Sequence, residues 1–327
     1  MSEPTYWIGS YTPSMDGSAR GIGAAATRDD GTLEFLGVAV ETSSPSFLAN
    51  GLVEGIVYST DEGSGRVEAF RRADGFRLTA LGGRKVSGSF PCHLTVTADR
   101  LYVSNYGDGS VDIFALHADG RIGERAQTLH GAGSGPRADQ GGPHAHATHV
   151  GATILSADLG ADRVHVHRLR DGAVERTGSG AFPAGTGPRD FAESHGSVYL
   201  LGELDGGIYL IDEEASIRSS GRVVAHWAEG DHAAALAIDA AGGFAFTGLR
   251  GSDRVAALRL SDLSPVADVP TGGSWPRHLA LEGDVLHVAN QLSNTVTSFR
   301  IDAGSGIPRP IGRLEHVPSP TYLLPVR

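Results

Sequence analysis

The chain has 327 residues and a formal net charge of −11, which argues against a general nucleic-acid binder because such a protein needs a basic face. Cys92 is the only cysteine, so no disulfide can form within the chain. No apolar run approaches the length of a transmembrane helix, and no signal peptide is visible at the N-terminus, so we expect a soluble cytoplasmic protein with no membrane partner.

A three-strand pattern recurs about seven times along the chain. Each copy has a first strand, a turn, a second strand, a tight turn and a third strand, which is the signal of consecutive hairpins. In chain order the copies lie at residues 6–12, 44–70, 90–116, 144–169, 188–211, 233–260 and 276–301. A spacing of roughly 40 to 50 residues is typical of four-stranded propeller blades. The sequence therefore predicts an all-β fold, a seven-bladed β-propeller, as a single domain over residues 1–327.

The two ends of the chain are predicted to share one blade. The first copy lacks a leading strand, and residues 319–325 look like the missing one because they are similar to residues 44–49. We expect the C-terminal segment to supply the innermost strand of the blade that the N-terminal segment begins. Such closure removes free sheet edges, which otherwise invite aggregation.

Weaker segments are expected to form the remaining parts of the fold. Fourth strands are predicted at residues 77–82, 222–226 and 265–269. Residues 117–143 are glycine-rich and are predicted to be the longest irregular stretch. Such a loop is either a functional flap over the scaffold or an inert insertion.

Two sets of side chains are predicted to surround one end of the central channel. The first and second strands of a blade are antiparallel, so the start of one lies beside the end of the other. First strands begin with His93, His146, Asp190, Ala235 and His278, preceded by Cys92, Ala145, Arg189, Ala234 and Arg277. Second strands end with Tyr11, Glu62, Tyr106, Leu159, Glu203, Arg250 and Gln291. Together they predict a cationic funnel for a small anionic ligand, unless they only solvate a water-filled channel.

The residue types at this end favour acid–base chemistry over metal chemistry. His144 and His146 share a face of a strand, and with further histidines they could form a metal site. The arginines at the same mouth disfavour a divalent cation, so we expect no metal and no other cofactor. Histidine and glutamate can move protons near neutral pH, and arginine can stabilise an oxyanion. Opening or closing a lactone needs these groups.

Several motifs carry a resemblance to a known family. PCHL, LYVSNYGDGSV, PHAHA, SADLGADRV, GPRD, GELDG, WPRHLAL and VANQLSNTV resemble the seven-bladed propeller lactonases, over nearly the whole chain. That family includes bacterial 6-phosphogluconolactonases, and fungal carboxy-muconate lactonizing enzymes that close a lactone. The resemblance implies an active-site set of His144 or His146, Arg189, Glu203 and Arg250.

The chain departs from the family pattern at two positions. Asp190 stands where the family commonly has histidine after Gly-Pro-Arg, which puts a carboxylate beside the arginines and disfavours a phosphorylated substrate. Leu249 stands where asparagine commonly precedes the arginine, and this change affects packing only.

Three hypotheses for function follow. The leading one is a metal-independent hydrolase of a small anionic sugar-acid lactone, in which Arg189 and Arg250 hold the anionic end. His146 or Glu203 would activate water, and His144 or His93 would orient it. Further substrate contacts are expected from His93, Tyr106, Arg277, His278 and Gln291. The alternatives are a cycloisomerase that uses the same residues on a dicarboxylate, and a non-catalytic ligand-binding or scaffold propeller.

Overall fold

The computed structural model describes residues 3–327. Their strands form seven antiparallel sheets of four strands each. The innermost strand of every sheet packs against the innermost strands of two neighbouring sheets, and these seven contacts close a ring. The predicted all-β, seven-bladed propeller is therefore confirmed.

The strands are numbered in chain order. Blades 1 to 4 contain β1 Tyr6–Ser10, β2 Gly21–Thr27, β3 Leu33–Glu41, β4 Leu48–Asn50, β5 Ile56–Asp61, β6 Arg66–Arg72, β7 Leu78–Lys85, β8 Pro91–Val96, β9 Arg100–Asn105, β10 Val111–Leu116, β11 Ile122–Leu129, β12 Ala145–Val150, β13 Ile154–Asp158, β14 Arg163–Arg170 and β15 Ala173–Ala181. Blades 5 to 7 and the closing strand are β16 Pro188–Ser194, β17 Ser197–Gly202, β18 Gly207–Ile211, β19 Ile217–Arg222, β20 His232–Ile238, β21 Phe244–Arg250, β22 Arg254–Arg259, β23 Ser264–Pro270, β24 Pro276–Glu282, β25 Val285–Asn290, β26 Thr295–Ile301, β27 Pro308–Leu314 and β28 Pro320–Pro325. Two 3-10 helices, Pro13–Met15 and Ala138–Gln140, lie in the connections.

Blade 1 is built from both ends of the chain, as predicted. Its order is β28-β1-β2-β3, with β28 innermost. Tyr6 lies opposite Pro325 and Ile8 opposite Leu323 in the antiparallel register of β1 and β28. The last strand of the chain therefore completes the first blade.

Two local predictions were wrong. The fourth strand of blade 5 is β19, Ile217–Arg222, and not residues 222–226. This outer strand is mostly exposed and lacks an apolar pattern, whereas the nearby apolar residues Val223 and Val224 are buried in a cluster between blades 5 and 6. Residues 117–143 are likewise not one irregular stretch, because they contain β11 and a 3-10 helix; β11 is a largely polar edge strand.

The apolar core lies between successive blades. One cluster joins blades 2 and 3 through Tyr58, Leu94, Leu101 and Phe114, all buried. Sheets packed face to face bury alternate side chains of both faces. This leaves the ends of the inner strands free to carry polar groups into the channel.

Candidate active site

A β-bulge near the start of the inner strands sets which side chains face the channel. The register of β8, β12, β16 and β24 each skips one residue, namely Cys92, His146, Arg189 and Arg277. A bulge leaves the extra residue outside the ladder and re-aims its side chain. The bulges therefore give Arg189, Arg277 and His146 equivalent positions in three blades.

The bulges correct the alignment of the fourth copy by one residue. The sequence pairs His146 with His93, but the structure makes His146 equivalent to Cys92 and Arg189. Ala147 is the residue equivalent to His93. The cause is that β12 begins after His144, so the Pro-His pair of this copy lies two positions earlier, relative to the bulge, than Pro-Cys in the third.

The ends of the second strands form a second level at the same end of the channel. In six blades the backbone N–H of the residue at this level donates to a carbonyl that precedes the blade's innermost strand, by one position in five blades and by four in blade 2. These residues are Tyr11, Glu62, Tyr106, Leu159, Glu203 and Gln291. In blade 6, Arg250 lies opposite His232 in the register of β20 and β21.

Glu203 is the centre of a buried ionic cluster. Its Oε2 accepts a hydrogen bond from Nη1 of Arg189, and its Oε1 lies 2.7 Å from Nη2 of Arg250. Nη2 of Arg250 has no hydrogen-bond partner within residues 3–327, so we describe this second contact as an ion pair. The side chains of Arg189, Glu203 and Arg250 are only 9%, 11% and 7% exposed.

The cluster fixes the ionisation of its members. Burial alone would raise the pKa of Glu203, but the guanidinium groups of Arg189 and Arg250 hold that pKa well below its usual range. Burial lowers the pKa of Arg250 to about 10, which still leaves it charged at neutral pH. Glu203 is therefore a carboxylate of low basicity, suited to holding neighbouring groups in place.

Arg277 belongs to a second cluster across the channel. Its Nη2 donates a hydrogen bond of 2.6 Å to Oη of Tyr11, and its Nη1 lies 3.4 Å from Oε1 of Gln291. Tyr11 Oη in turn donates to Oε2 of Glu62 at 2.9 Å. The guanidinium also lies over the Tyr11 ring, 4.8 Å from its centroid.

His144 lies against Tyr106 at the channel end. The two rings stack with centroids 4.4 Å apart, and His144 Nδ1 lies 2.6 Å from the carbonyl oxygen of Tyr106. A carbonyl only accepts, so we assign the proton to Nδ1 and the lone pair to Nε2. His146 meets the edge of the same Tyr106 ring at 6.1 Å.

A cavity of about 200 Å³ lies in the channel and collects half of the predicted site residues. His93, His146, Arg189, Arg277 and His278 line it. Glu203, Arg250, His144, Tyr106 and Gln291 are not among its lining residues and lie at or beside the second-strand ends. Phe47 and Tyr322 also line the cavity, where their rings lie against those of His93 and His278 in tilted arrangements.

The residue after the bulge joins its blade to the next one. Nδ1 of His93 and Nδ1 of His278 accept backbone N–H bonds from Thr148 and Leu323 at 3.4 and 3.2 Å. Asp190 Oδ2 accepts from Leu236 N at 2.9 Å. Asp190 thus makes the same inter-blade bond as the histidines at the equivalent positions in blades 3 and 7.

The three histidines that line the cavity are uncharged. Burial and then Arg189 lower the pKa values of His93 and His278 to about 3. Because both Nδ1 atoms accept, each ring carries its proton on Nε2. Burial also lowers the pKa of His146 well below its usual value, with Arg189 adding to the effect. All three imidazoles are neutral at neutral pH.

The described residues offer neither a metal-binding cluster nor a membrane-spanning helix. Within residues 3–327, no three His, Cys, Asp or Glu side chains are grouped in a way that could hold a metal ion. No helix in the same range has the length and apolar character needed to cross a membrane.

The sequence did not indicate His232 as a site residue. It is the first residue of β20, and its Nδ1 lies 3.3 Å from Oε1 of Glu203. The sequence pattern predicts that the sixth copy begins at Ala233, which leaves His232 without a counterpart in the other copies. Its place just before a predicted strand start was the one available signal.

Comparison with known proteins places this propeller in the lactonase class of enzymes. Its channel end combines buried arginine–glutamate contacts with neutral histidines. The family model described as "Lactonase, 7-bladed beta-propeller" matches residues 5–325. The chain belongs to this family. This membership supports an enzyme over the non-catalytic scaffold.

Named relatives agree with this assignment. A 6-phosphogluconolactonase of Bacillus subtilis is 26% identical over 293 residues, which cover 82% of this chain and 83% of the relative. The solved structure of a Pseudomonas aeruginosa protein described as the periplasmic gluconolactonase PpgL is 26% identical, with a TM-score of 0.87 over 98% of this chain and 99% of that one. A putative 6-phosphogluconolactonase from Bacteroides fragilis is 25% identical, with a TM-score of 0.89 over 98% and 97%.

Proposed function

We propose that this lactonase hydrolyses a small anionic sugar-acid lactone at the channel end, without a metal ion. The observation that carries the proposal is the buried Arg189–Glu203–Arg250 cluster beside a cavity that Arg189 and Arg277 line. The relatives' names support a sugar-acid lactone and the hydrolytic direction. They include both a phosphorylated and an unphosphorylated substrate.

The arginines supply the electrostatic part of the reaction. Water attack on a lactone carbonyl puts negative charge on the carbonyl oxygen, and ring opening leaves a carboxylate. Arg189 and Arg277 line the cavity, so their guanidinium groups face that charge where little water screens it. Glu203 holds Arg189 and Arg250 in place, so these donors need no reorganisation during the reaction.

Histidines at the channel end supply contacts to substrate and water. His146 lines the cavity and His144 presents an unprotonated Nε2 beside Tyr106, so both are placed to contact substrate or water. His93 and His278 offer Nε2–H donors that suit hydroxyl or carbonyl oxygens of a sugar. No step in this scheme requires a Lewis acid.

The test is hydrolysis of 6-phosphogluconolactone and gluconolactone, corrected for the uncatalysed rate, with a muconate assayed alongside. We expect Arg189→Ala to lower kcat/KM by about 10²–10³, and treatment with EDTA to leave the wild-type rate unchanged. Turnover unaffected by Arg189→Ala would contradict the site. Loss of activity in EDTA that a divalent ion restores would contradict metal independence.

A further inference from the structure

Glu203 is a poor general base, so a general base at this site must be another residue. Both of its oxygens contact guanidinium groups, and its pKa is held well below the usual range. A carboxylate of such low basicity is a poor general base. It remains well suited to orient an imidazole, which is the role that a carboxylate has in a Ser-His-Asp triad.

His232 is the imidazole that contacts this carboxylate. Its Nδ1 lies 3.3 Å from Glu203 Oε1, and an ionised carboxylate can only accept. A proton on Nδ1 is attracted to the carboxylate, whereas a lone pair there would be repelled by it, so we assign the proton to Nδ1 and the lone pair of the neutral ring to Nε2. The basic nitrogen then lies on the far side of the ring from Glu203.

The backbone holds His232 at a fixed distance from Glu203. The N–H of Ala233 donates to the carbonyl oxygen of Glu203 at 2.9 Å, which joins the start of β20 to the end of β17 in the previous blade. The residue before His232 is held as well, because Oδ1 of Asp231 accepts a hydrogen bond from Ser252 N at 2.8 Å. The His232–Glu203 contact is thus set by two strands and not by a mobile loop.

The ring of His232 reaches water, whereas its partner does not. The His232 side chain is 30% exposed and that of Glu203 is 11% exposed. Nε2 of His232 is therefore accessible to water. The deeper His146 lacks this access, and burial and Arg189 oppose its protonation although Glu203 favours it.

We propose that His232 is a catalytic general base of this lactonase, with Glu203 as its positioning residue. This inference rests on the proposed lactone hydrolysis. His232 Nε2 takes a proton from water as the water oxygen bonds to the lactone carbonyl carbon and the carbonyl electrons move to oxygen. When the intermediate collapses, the ring C–O bond breaks and the ring oxygen takes that proton from Nε2. The product is a hydroxy acid, which loses its carboxyl proton to solvent.

The experiment compares His232→Asn with wild type on both lactones across pH 5 to 8. The asparagine amide keeps a donor for Glu203 but has no base in place of Nε2. We expect kcat/KM to fall by about 10²–10⁴ with little change in KM, and the acidic limb of the pH profile to disappear. The matched control is His195→Asn, in the turn between β16 and β17 at the opposite end of blade 5, which is expected to keep wild-type kinetics.

A second variant separates chemistry from folding. In His232→Ala, added imidazole is expected to restore part of the lost rate, which a purely structural defect would not allow. Wild-type kcat/KM and an intact acidic limb in His232→Asn would overturn the role of His232 alone. A wild-type protein inactive on both lactones would instead overturn the proposed function, and this inference with it.

Discussion

Arg277 Nη2 donates a hydrogen bond of 2.6 Å to Oη of Tyr11, although 266 positions separate the two residues. Tyr11 Oη then donates to Glu62. Side chains from blades 7, 1 and 2 are therefore linked at the channel end, across the seam where the ring closes. The same link holds one of the cavity's guanidinium groups in place.

Tyr11→Phe tests this link. The change removes one hydroxyl that bonds two charged groups, so we expect the free energy of unfolding to fall by about 1.5–3 kcal/mol. KM for the lactone should rise because Arg277 loses its anchor. Urea unfolding and steady-state kinetics measure the two effects. Tyr199→Phe is the control, since the Tyr199 hydroxyl bonds to no other side chain in residues 3–327; equal losses in both variants would contradict the link.

Glu203→Gln tests the buried cluster through stability. It leaves Arg189 and Arg250 without their counter-charge, and breaking a buried ion pair from one side costs about 3–5 kcal/mol. We expect the urea midpoint to fall accordingly. Glu193→Gln, whose side chain is 51% exposed, should change stability by less than about 0.5 kcal/mol. A midpoint for Glu203→Gln that matches wild type would show that the cluster is not a tight ionic unit.

Glu62→Gln tests the charge balance of the channel. Removing this carboxylate leaves the Arg277 side with one more net positive charge. We expect KM for 6-phosphogluconolactone to fall roughly fivefold, which corresponds to about 1 kcal/mol of added attraction. KM for uncharged gluconolactone should stay nearly constant. Glu54→Gln, in the turn between β4 and β5, is the control; equal responses of the two substrates would rule out an electrostatic cause.

The buried neutral histidines predict that the folded protein becomes less stable in acid. Burial lowers the pKa values of His93, His278 and His167 to about 3 and that of His287 to about 4. In the unfolded chain each takes up a proton near its ordinary pKa of 6.5, so below that pH the unfolded state binds more protons. Stability should therefore fall as pH falls from about 6.5 towards 4. Urea unfolding at several pH values measures the slope, which His287→Gln should make shallower; a flat profile would contradict the burial of these rings.

Removing β28 tests ring closure. A chain ending at Glu315 loses the innermost strand of blade 1, so β1 becomes an open edge beside the channel. We expect a much lower melting temperature and no lactonase activity. A chain ending at Val326 should behave like the full-length protein. Identical melting of the chain ending at Glu315 would mean that the shared blade does not stabilise the ring.

The repeat was readable from sequence because inner and second strands carry dense apolar patterns. Two of the three predicted fourth strands overlap the observed β7 and β23, but β19 was misplaced. An exposed strand such as β19 has no apolar signal, and the buried Val223 and Val224 beyond it supplied a false one. Seven copies of one hairpin pattern were enough to predict the fold even though one fourth strand was misplaced.

The sequence predicted which side chains lie together at the channel end in outline but not in detail. Equivalent positions in repeats bring Arg189, Glu203 and Arg250 to one axis, so counting from strand ends located them. A bulge shifts the register by one residue without leaving a trace in composition, which misaligned His146. His232 contacts Glu203 through its place in the neighbouring blade, and such a contact between blades has no repeat pattern to indicate it.

The shared first blade also bears on how the protein matures in the cell. During synthesis β1 stays unpaired on one side until residues 320–325 have left the ribosome, by which time all the other strands of the seven blades have been made. The channel therefore closes only after the other blades exist, and a nascent chain has no closed pore in which to bind a lactone.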